Sequence, residues 1–196
     1  MTLDRTKYMN TKEIQQLRTV IQAQNILDLQ NGRIRGVIAW MLIDIALSTG
    51  LRVSEIANVT ISDIDFKRGG IKIVRAKKKR KTIEMLAVGK DLLQHLKEYI
   101  AWTGRKDGKL FVGQRGTLTS AGLQQIWKQA IKKANLPDEL SIHSARHTLA
   151  VALLKKTNNL RQVQKQLGHA SPAITANLYA DVSFEDMQAG VSGLYN

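Results

Sequence analysis

Apolar residues recur along most of this chain at the three- and four-residue spacing of an α-helix, interrupted once by a stretch that alternates every second residue. Over residues 11–23, Ile14, Leu17, Val20 and Ile21 fall on one helical face, and Thr11 reads as the opening of a Thr-x-x-Gln-like capping pattern. Residues 33–48 are more apolar still, as a buried helix would be, and Gly50 stops them. A short helix over residues 53–58 follows. The period then changes: Gly69-Gly70 supplies a turn, Ile71 and Ile73 flank Lys72, a basic run follows, and Ile83-Glu84-Met85 resumes the alternation. This predicts a small antiparallel sheet with lysines near a hairpin tip. Helical spacing returns over 90–102, 120–134, 144–156, 160–167 and a short piece around 174–179, punctuated by Gly104, Gly108, Pro137, Gly168 and Pro172. The pattern implies an α+β class, mainly α-helical, with one small antiparallel sheet.

Composition narrows what such a domain can do. The 196 residues suit one compact domain, and a hydrophobic fraction of 43 % argues against disorder. The absence of cysteine excludes disulfides, thiolate metal sites and a cysteine nucleophile. The N-terminus, Met1-Thr2-Leu3-Asp4-Arg5, lacks the apolar core of a signal peptide. The most apolar run, residues 37–47, is too short to span a bilayer and carries Asp44 in its middle. The expectation is a soluble, cytoplasmic protein. Lys and Arg number 30 against 16 Asp and Glu, a net charge of +14, and such an excess implies a polyanionic partner. Nucleic acid is the first candidate and an acidic membrane surface the second. The basic residues cluster at Lys77-Lys78-Lys79-Arg80-Lys81, at Lys132-Lys133 and at Lys155-Lys156, and the last two pairs lie within helical patterns, so the charge belongs to a folded surface.

Four stretches carry candidate chemistry. In Thr49-Gly50-Leu51-Arg52-Val53-Ser54-Glu55-Ile56, Arg52 sits where one helix ends and another begins; alone, it reads as a surface arginine near a helix cap. In Ile142-His143-Ser144-Ala145-Arg146-His147-Thr148, His143 shares a helical face with Arg146 and with His147. A zinc-protease reading fails there, because position 144 is Ser where Glu would be needed and no third ligand is evident. In Leu167-Gly168-His169, the glycine allows a sharp turn that presents His169; alone, the histidine is structural. In Asn177-Leu178-Tyr179-Ala180, a lone helical tyrosine is ordinarily a core or rim residue.

Taken together, in this order and spacing, the four stretches resemble the tyrosine recombinase (phage integrase) family from about Met9 to Asp181. The resemblance implies the tyrosine-recombinase catalytic-domain fold and transfer of a DNA phosphodiester to a protein hydroxyl and back, in site-specific strand exchange. It implies Tyr179 as nucleophile, forming a 3′-phosphotyrosine link, with Arg52 and Arg146 on the phosphate oxygens. Paired, permanently charged planar donors suit an anion whose charge grows in the transition state. His143 would accept or share the phenol proton, and His169 would donate to a phosphate oxygen. The family takes its general acid from a hairpin lysine; counting back from Ile83 favours Lys77, with Lys79 second, although the family's glycine-containing hairpin pattern is absent. Lys78, Lys79, Arg80 and Lys81 are then phosphate contacts, which position DNA without reading sequence.

Other departures and openings follow from the same comparison. Ser144-Ala145 replaces the acidic-Leu pair frequent in the family, His147 is supportive, Glu55 is a structural partner rather than a base, and His95 has no assigned role. Neither a metal nor a nucleotide cofactor is required, because arginine, lysine and histidine supply the positive charge. Residues 1–196 read as a single catalytic domain without the N-terminal core-binding domain usual in integrases, either a naturally short recombinase or an excised fragment. The implied partners are double-stranded DNA, further copies in a homotetramer linked by exchange of the tail after Tyr179, and accessory DNA-bending proteins; a tail packed on its own domain is the competing reading. A non-cutting DNA binder of the same fold and a type IB topoisomerase-like relaxing enzyme are the alternatives. An RNA-binding module has little support at 5 % aromatic residues.

Overall fold

The computed structural model describes residues 8–77 and 80–168, with the side chains of 76, 77, 80 and 81 left aside; His169 and Tyr179 lie outside the described residues. Seven helices and two small sheets are described: α1 (Thr11–Gln30), α2 (Ile34–Thr49), α3 (Val53–Asn58), β1 (Ile64–Asp65), β2 (Gly70–Lys77), β3 (Arg80–Ala87), α4 (Lys90–Thr103), β4 (Val112–Gly113), β5 (Gly116–Thr117), α5 (Ser120–Lys133), α6 (Ile142–Thr157) and α7 (Leu160–Leu167). The α+β class, mainly helical with small antiparallel sheets, is as the hydrophobic pattern predicts.

Helix α2 is the centre of the molecule. Eleven of its residues are buried, among them Val37, Met41, Leu42 and Ile45, and it packs against α1, α4, α5 and α6. Its apolar circumference explains why: a helix with no polar face has to be covered on every side. Its one buried charge, Asp44, is 6 % exposed and is covered by Arg18 of α1 at 2.9 Å and His95 Nδ1 of α4 at 2.7 Å. His95, which has no role in the sequence reading, thus anchors α4 to α2, with Trp40 tilted against its ring.

Both boundaries of α1 differ from the sequence expectation. Helix α1 runs on to Gln30, beyond the predicted end at residue 23. The extension is rich in polar residues, but Asn25 and Asp28 are buried, each 4 % exposed. Asp28 Oδ2 accepts from the Gly36 amide at 2.7 Å and Oδ1 from Gln24 Nε2 at 2.7 Å. The carboxylate of α1 therefore caps the first turn of α2, whose own N-cap residue, Arg33, makes no side-chain cap. Helix α1 itself begins on a cap at Asn10, not Thr11: Asn10 Oδ1 accepts from the Glu13 amide and the Glu13 carboxylate accepts from the Asn10 amide.

The hairpin is as expected. β2 and β3 pair antiparallel from Gly70↔Ala87 to Lys77↔Arg80, and β1 adds to the other edge of β2. Along β2, Ile71, Ile73 and Arg75 are buried while Lys72 and Val74 are exposed, the alternation of a strand with one face on the core. The β4–β5 pair has no counterpart in the sequence expectation; strands of two residues are too short to show a period. A small second core of Ala150, Leu154, Val163 and Leu167 joins α6 to α7. At the start of the described chain, the Met9 amide donates to Thr148 Oγ1 of α6 at 2.9 Å.

Candidate functional site

Arg52 and Arg146 are brought together by two turns. Helix α2 ends on Gly50, left-handed at φ 63°, and a Cβ there would meet Leu167 Cδ2 at 2.6 Å and Leu149 Cδ2 at 3.0 Å. Glycine is needed at that position for both conformation and space. The turn carries the chain into Arg52 and α3. Glu55, 8 % exposed, takes the Arg52 amide at 2.8 Å and the Arg52 guanidinium at 3.1 Å, so it orients the arginine, in keeping with a structural partner rather than a base. The Arg52 side chain, held by Glu55, stays 42 % exposed.

Arg146 is the hub. It is 8 % exposed and donates from Nη1 to Gly50 O at 2.7 Å and from Nη2 to Leu167 O at 2.6 Å. One guanidinium thus ties the turn before Arg52 to the turn before His169, two segments far apart in sequence. A guanidinium has five N–H donors, so donors remain for a ligand. Burial, then the positive charge of Arg52, pushes the Arg146 pKa down to about 10; Glu55 pulls it upward and Arg75 adds to the depression. The group remains cationic at neutral pH.

His143 lies in the first turn of α6 and is exposed, as is His147 one turn on. Ser144 and Thr148 of the same helix are buried; Thr148 Oγ1 donates to Ser144 O at 2.7 Å while holding the Met9 amide. The helix therefore presents one histidine row outward while its other sides anchor it. Lys77 is the last residue of β2 and pairs with Arg80, and Lys81 pairs with Ala76, so three of the predicted basic residues sit at the hairpin's closed end. Lys78, Lys79, His169 and Tyr179 lie outside the described residues.

Sequence reasoning missed Arg75. It is 2 % exposed in β2, and its guanidinium donates from Nη2 to Gln166 O at 2.7 Å and from Nη1 to Leu167 O, the oxygen that Arg146 also uses. Nε faces Glu84 Oε2 at 3.0 Å as a charge contact without an aligned hydrogen bond. Burial lowers the Arg75 pKa, opposed by the charges of Glu55 and Glu84 and reinforced by that of Arg52. The available signal was the two-residue alternation, which puts position 75 in line with Ile71 and Ile73.

A carboxylate-braced arginine, a buried arginine held between two turns and an exposed histidine on the same helix form a cationic, open surface suited to an anionic oxygen cluster such as a phosphodiester. Comparison with known proteins agrees with the resemblance read from the motifs. The family model described as "Phage integrase family" matches residues 7–186. The tyrosine recombinase XerH of Campylobacter jejuni is 32 % identical over 160 residues, covering 80 % of this chain and 44 % of the relative. The tyrosine recombinase XerC of Pseudomonas aeruginosa (strain LESB58) is 33 % identical over 150 residues, covering 74 % of this chain and 48 % of that one. The chain thus spans about half the length of these curated relatives. Among solved structures, XerH site-specific recombinase bound to difH substrate superposes with a TM-score of 0.71 at 25 % identity, over 98 % of this chain and 56 % of that one. The Tn1549 transposon integrase in complex with transposon right end DNA gives 0.76 at 21 % identity, over 99 % and 68 %, a likeness of fold. With the arginine-bearing turns, the histidine helix and the hairpin all in the expected order, and the family model spanning nearly the whole sequence, this chain belongs to the phage integrase family of tyrosine recombinases.

Proposed function

We propose that this chain is the catalytic part of a site-specific DNA recombinase that cleaves and rejoins double-stranded DNA through a 3′-phosphotyrosine intermediate. The observation that carries the reading is Arg146, whose guanidinium joins the Gly50 turn to the Leu167–Gly168 turn while Glu55 braces Arg52 alongside. A scissile phosphate placed there meets two fixed cations, and charge developing on its non-bridging oxygens is stabilised without solvent reorganisation.

In this reading the Tyr179 oxygen attacks phosphorus and the bond from phosphorus to the 5′-oxygen breaks. A phenol ionises near pH 10, so its proton needs an acceptor at neutral pH, and His143 takes that role. His169 donates to a phosphate oxygen, and Lys77 protonates the departing 5′-oxygen. The 5′-hydroxyl of a second strand then attacks the phosphotyrosine, the phenol regains its proton, and a phosphodiester is restored with no outside energy source. Lys78, Lys79, Arg80 and Lys81 hold the DNA backbone near the cut. The tail after Tyr179 passes to a neighbouring copy, so that four chains assemble on paired sites. Relatives of this chain were solved on DNA, XerH on its difH substrate among them, which supports duplex DNA as the partner.

The test is a covalent adduct. The protein is mixed with duplexes carrying a nick or a 5′-bridging phosphorothiolate, or with supercoiled plasmid where no site is known, and run on a denaturing gel beside Tyr179→Phe. An adduct lost in Tyr179→Phe establishes the phosphotyrosine step. Binding to a demonstrated site with no adduct identifies a non-cutting DNA binder instead. Relaxation of the plasmid without exchange between sites identifies a topoisomerase-like enzyme.

A further inference from the structure

Arg75 is a full guanidinium withdrawn from water, at 2 % exposure, in a hairpin whose neighbouring residues are among the most basic of the chain. It is too deep to be a DNA contact. Both of its terminal nitrogens are spent on the last carbonyls of α7, Gln166 O and Leu167 O, groups that a helix end leaves without partners. A second tie runs beside it, from Gln166 Nε2 to Ala87 O at the end of β3, 3.2 Å long. The packing is so close that a Cβ on Gly168 would run into the Arg75 guanidinium, and Gly168 is left-handed at φ 63°. The glycine of that turn is therefore required twice, for its backbone angle and for the arginine lying on it.

What Arg75 joins is informative. Lys77 stands two residues further along β2. Gly168 immediately precedes His169, and Leu167 O is shared with Arg146. A hairpin joined to a domain only through its strand roots can sway at its tip, and a proton donor at that tip would miss its acceptor by more than catalysis tolerates. From this juxtaposition we infer that Arg75 is a positioning residue: it locks the β2–β3 hairpin onto the Gly168 turn and so fixes the hairpin's proton donor relative to the arginine–histidine site. The inference rests on the proposed recombinase chemistry.

The experiment compares two cleavage substrates, one with the ordinary 5′-oxygen at the cut and one with a 5′-bridging sulfur, a leaving group that departs without a proton. Single-turnover adduct formation is measured for the full chain, Arg75→Met and Arg75→Lys, with DNA affinity and thermal melting alongside. The expected result is a loss of about 100-fold or more for Arg75→Met on the oxygen substrate, the scale of a misplaced general acid, with the sulfur substrate cleaved within about tenfold of the parent. Arg75→Lys should show the same selective loss in smaller measure, because an ammonium cannot span two carbonyls in one plane. If Arg75→Met does not melt cooperatively, Arg75→Lys carries the comparison alone. Equal slowing on both substrates, or no slowing on either, overturns the inference. Failure of the parent protein to form an adduct with either substrate overturns the recombinase reading instead.

Discussion

At the scale of single residues, Arg146 does two things that pull against each other. It is buried enough for its pKa to fall to about 10, yet in the proposed role it has to stay charged to hold a phosphate. Two backbone carbonyls, Gly50 O and Leu167 O, stabilise the charge without neutralising it, so the positive field is kept for a ligand. Arg146→Lys should retain charge and lose the fork. The expected outcome is adduct formation slowed by about 100-fold or more, with stability lowered by about 1–3 kcal/mol as one carbonyl loses its donor. Single-turnover cleavage and urea denaturation read the two effects separately. Arg52, His143 and Arg146 are legible in the sequence because their neighbours are part of the signal: a glycine that ends a helix, an acid three residues on, a histidine one turn before an arginine. Arg75 is not legible in the same way. In a stretch rich in lysine, one more basic residue looks like solvated charge, and only its place in the strand alternation, in line with Ile71 and Ile73, separates it from Lys72.

Among the elements, the differences from expectation follow from what a periodicity can record. The pattern ends α1 at residue 23 because apolar spacing gives way there to Gln24, Asn25, Asp28 and Gln30. Asn25 and Asp28 are nevertheless buried, and Asp28 is spent on the neighbouring helix, a use that no single-helix pattern encodes. Asp28→Ala should cost about 1–2 kcal/mol, the loss of a side-chain cap at a helix start. The midpoint of urea denaturation should fall with the slope unchanged, and a variant as stable as the parent would show that water replaces the cap. The helix over Val53–Asn58 and the helix over Leu160–Leu167 match the expectation to the residue, because Arg52 follows a forced turn and Gly168 forces another. The hairpin is legible from its alternation; β4 and β5 are too short to leave one.

For the whole molecule, a net charge of +14 sets how the proposed binding to a duplex depends on salt. Each lysine or arginine that binds a phosphate releases counterions, so affinity falls steeply with salt. With about six or more phosphates neutralised, affinity for duplex DNA should drop on the order of 1,000-fold between about 50 and 200 mM salt. Replacing Lys78, Lys79 and Arg80 by alanine should reduce the slope by about one for each phosphate no longer neutralised, read by fluorescence anisotropy across a salt series. A flat salt profile would remove DNA as the partner. Among the described residues no helix is long and apolar enough to cross a membrane. The architecture also shows how separate motifs become one site: α2, covered on all sides, delivers the Arg52 turn to the surface, and α6 packs on α2 to bring Arg146 beneath it.

The bond from the Met9 amide to Thr148 gives the chain's approach to α1 a mechanical meaning. A pull on Met9 would be shared between α1 and α6, and Thr148 lies two residues from Arg146 on α6. The peptide amide of Met9 is in this sense a coupling pin between the approach to α1 and the helix that carries Arg146.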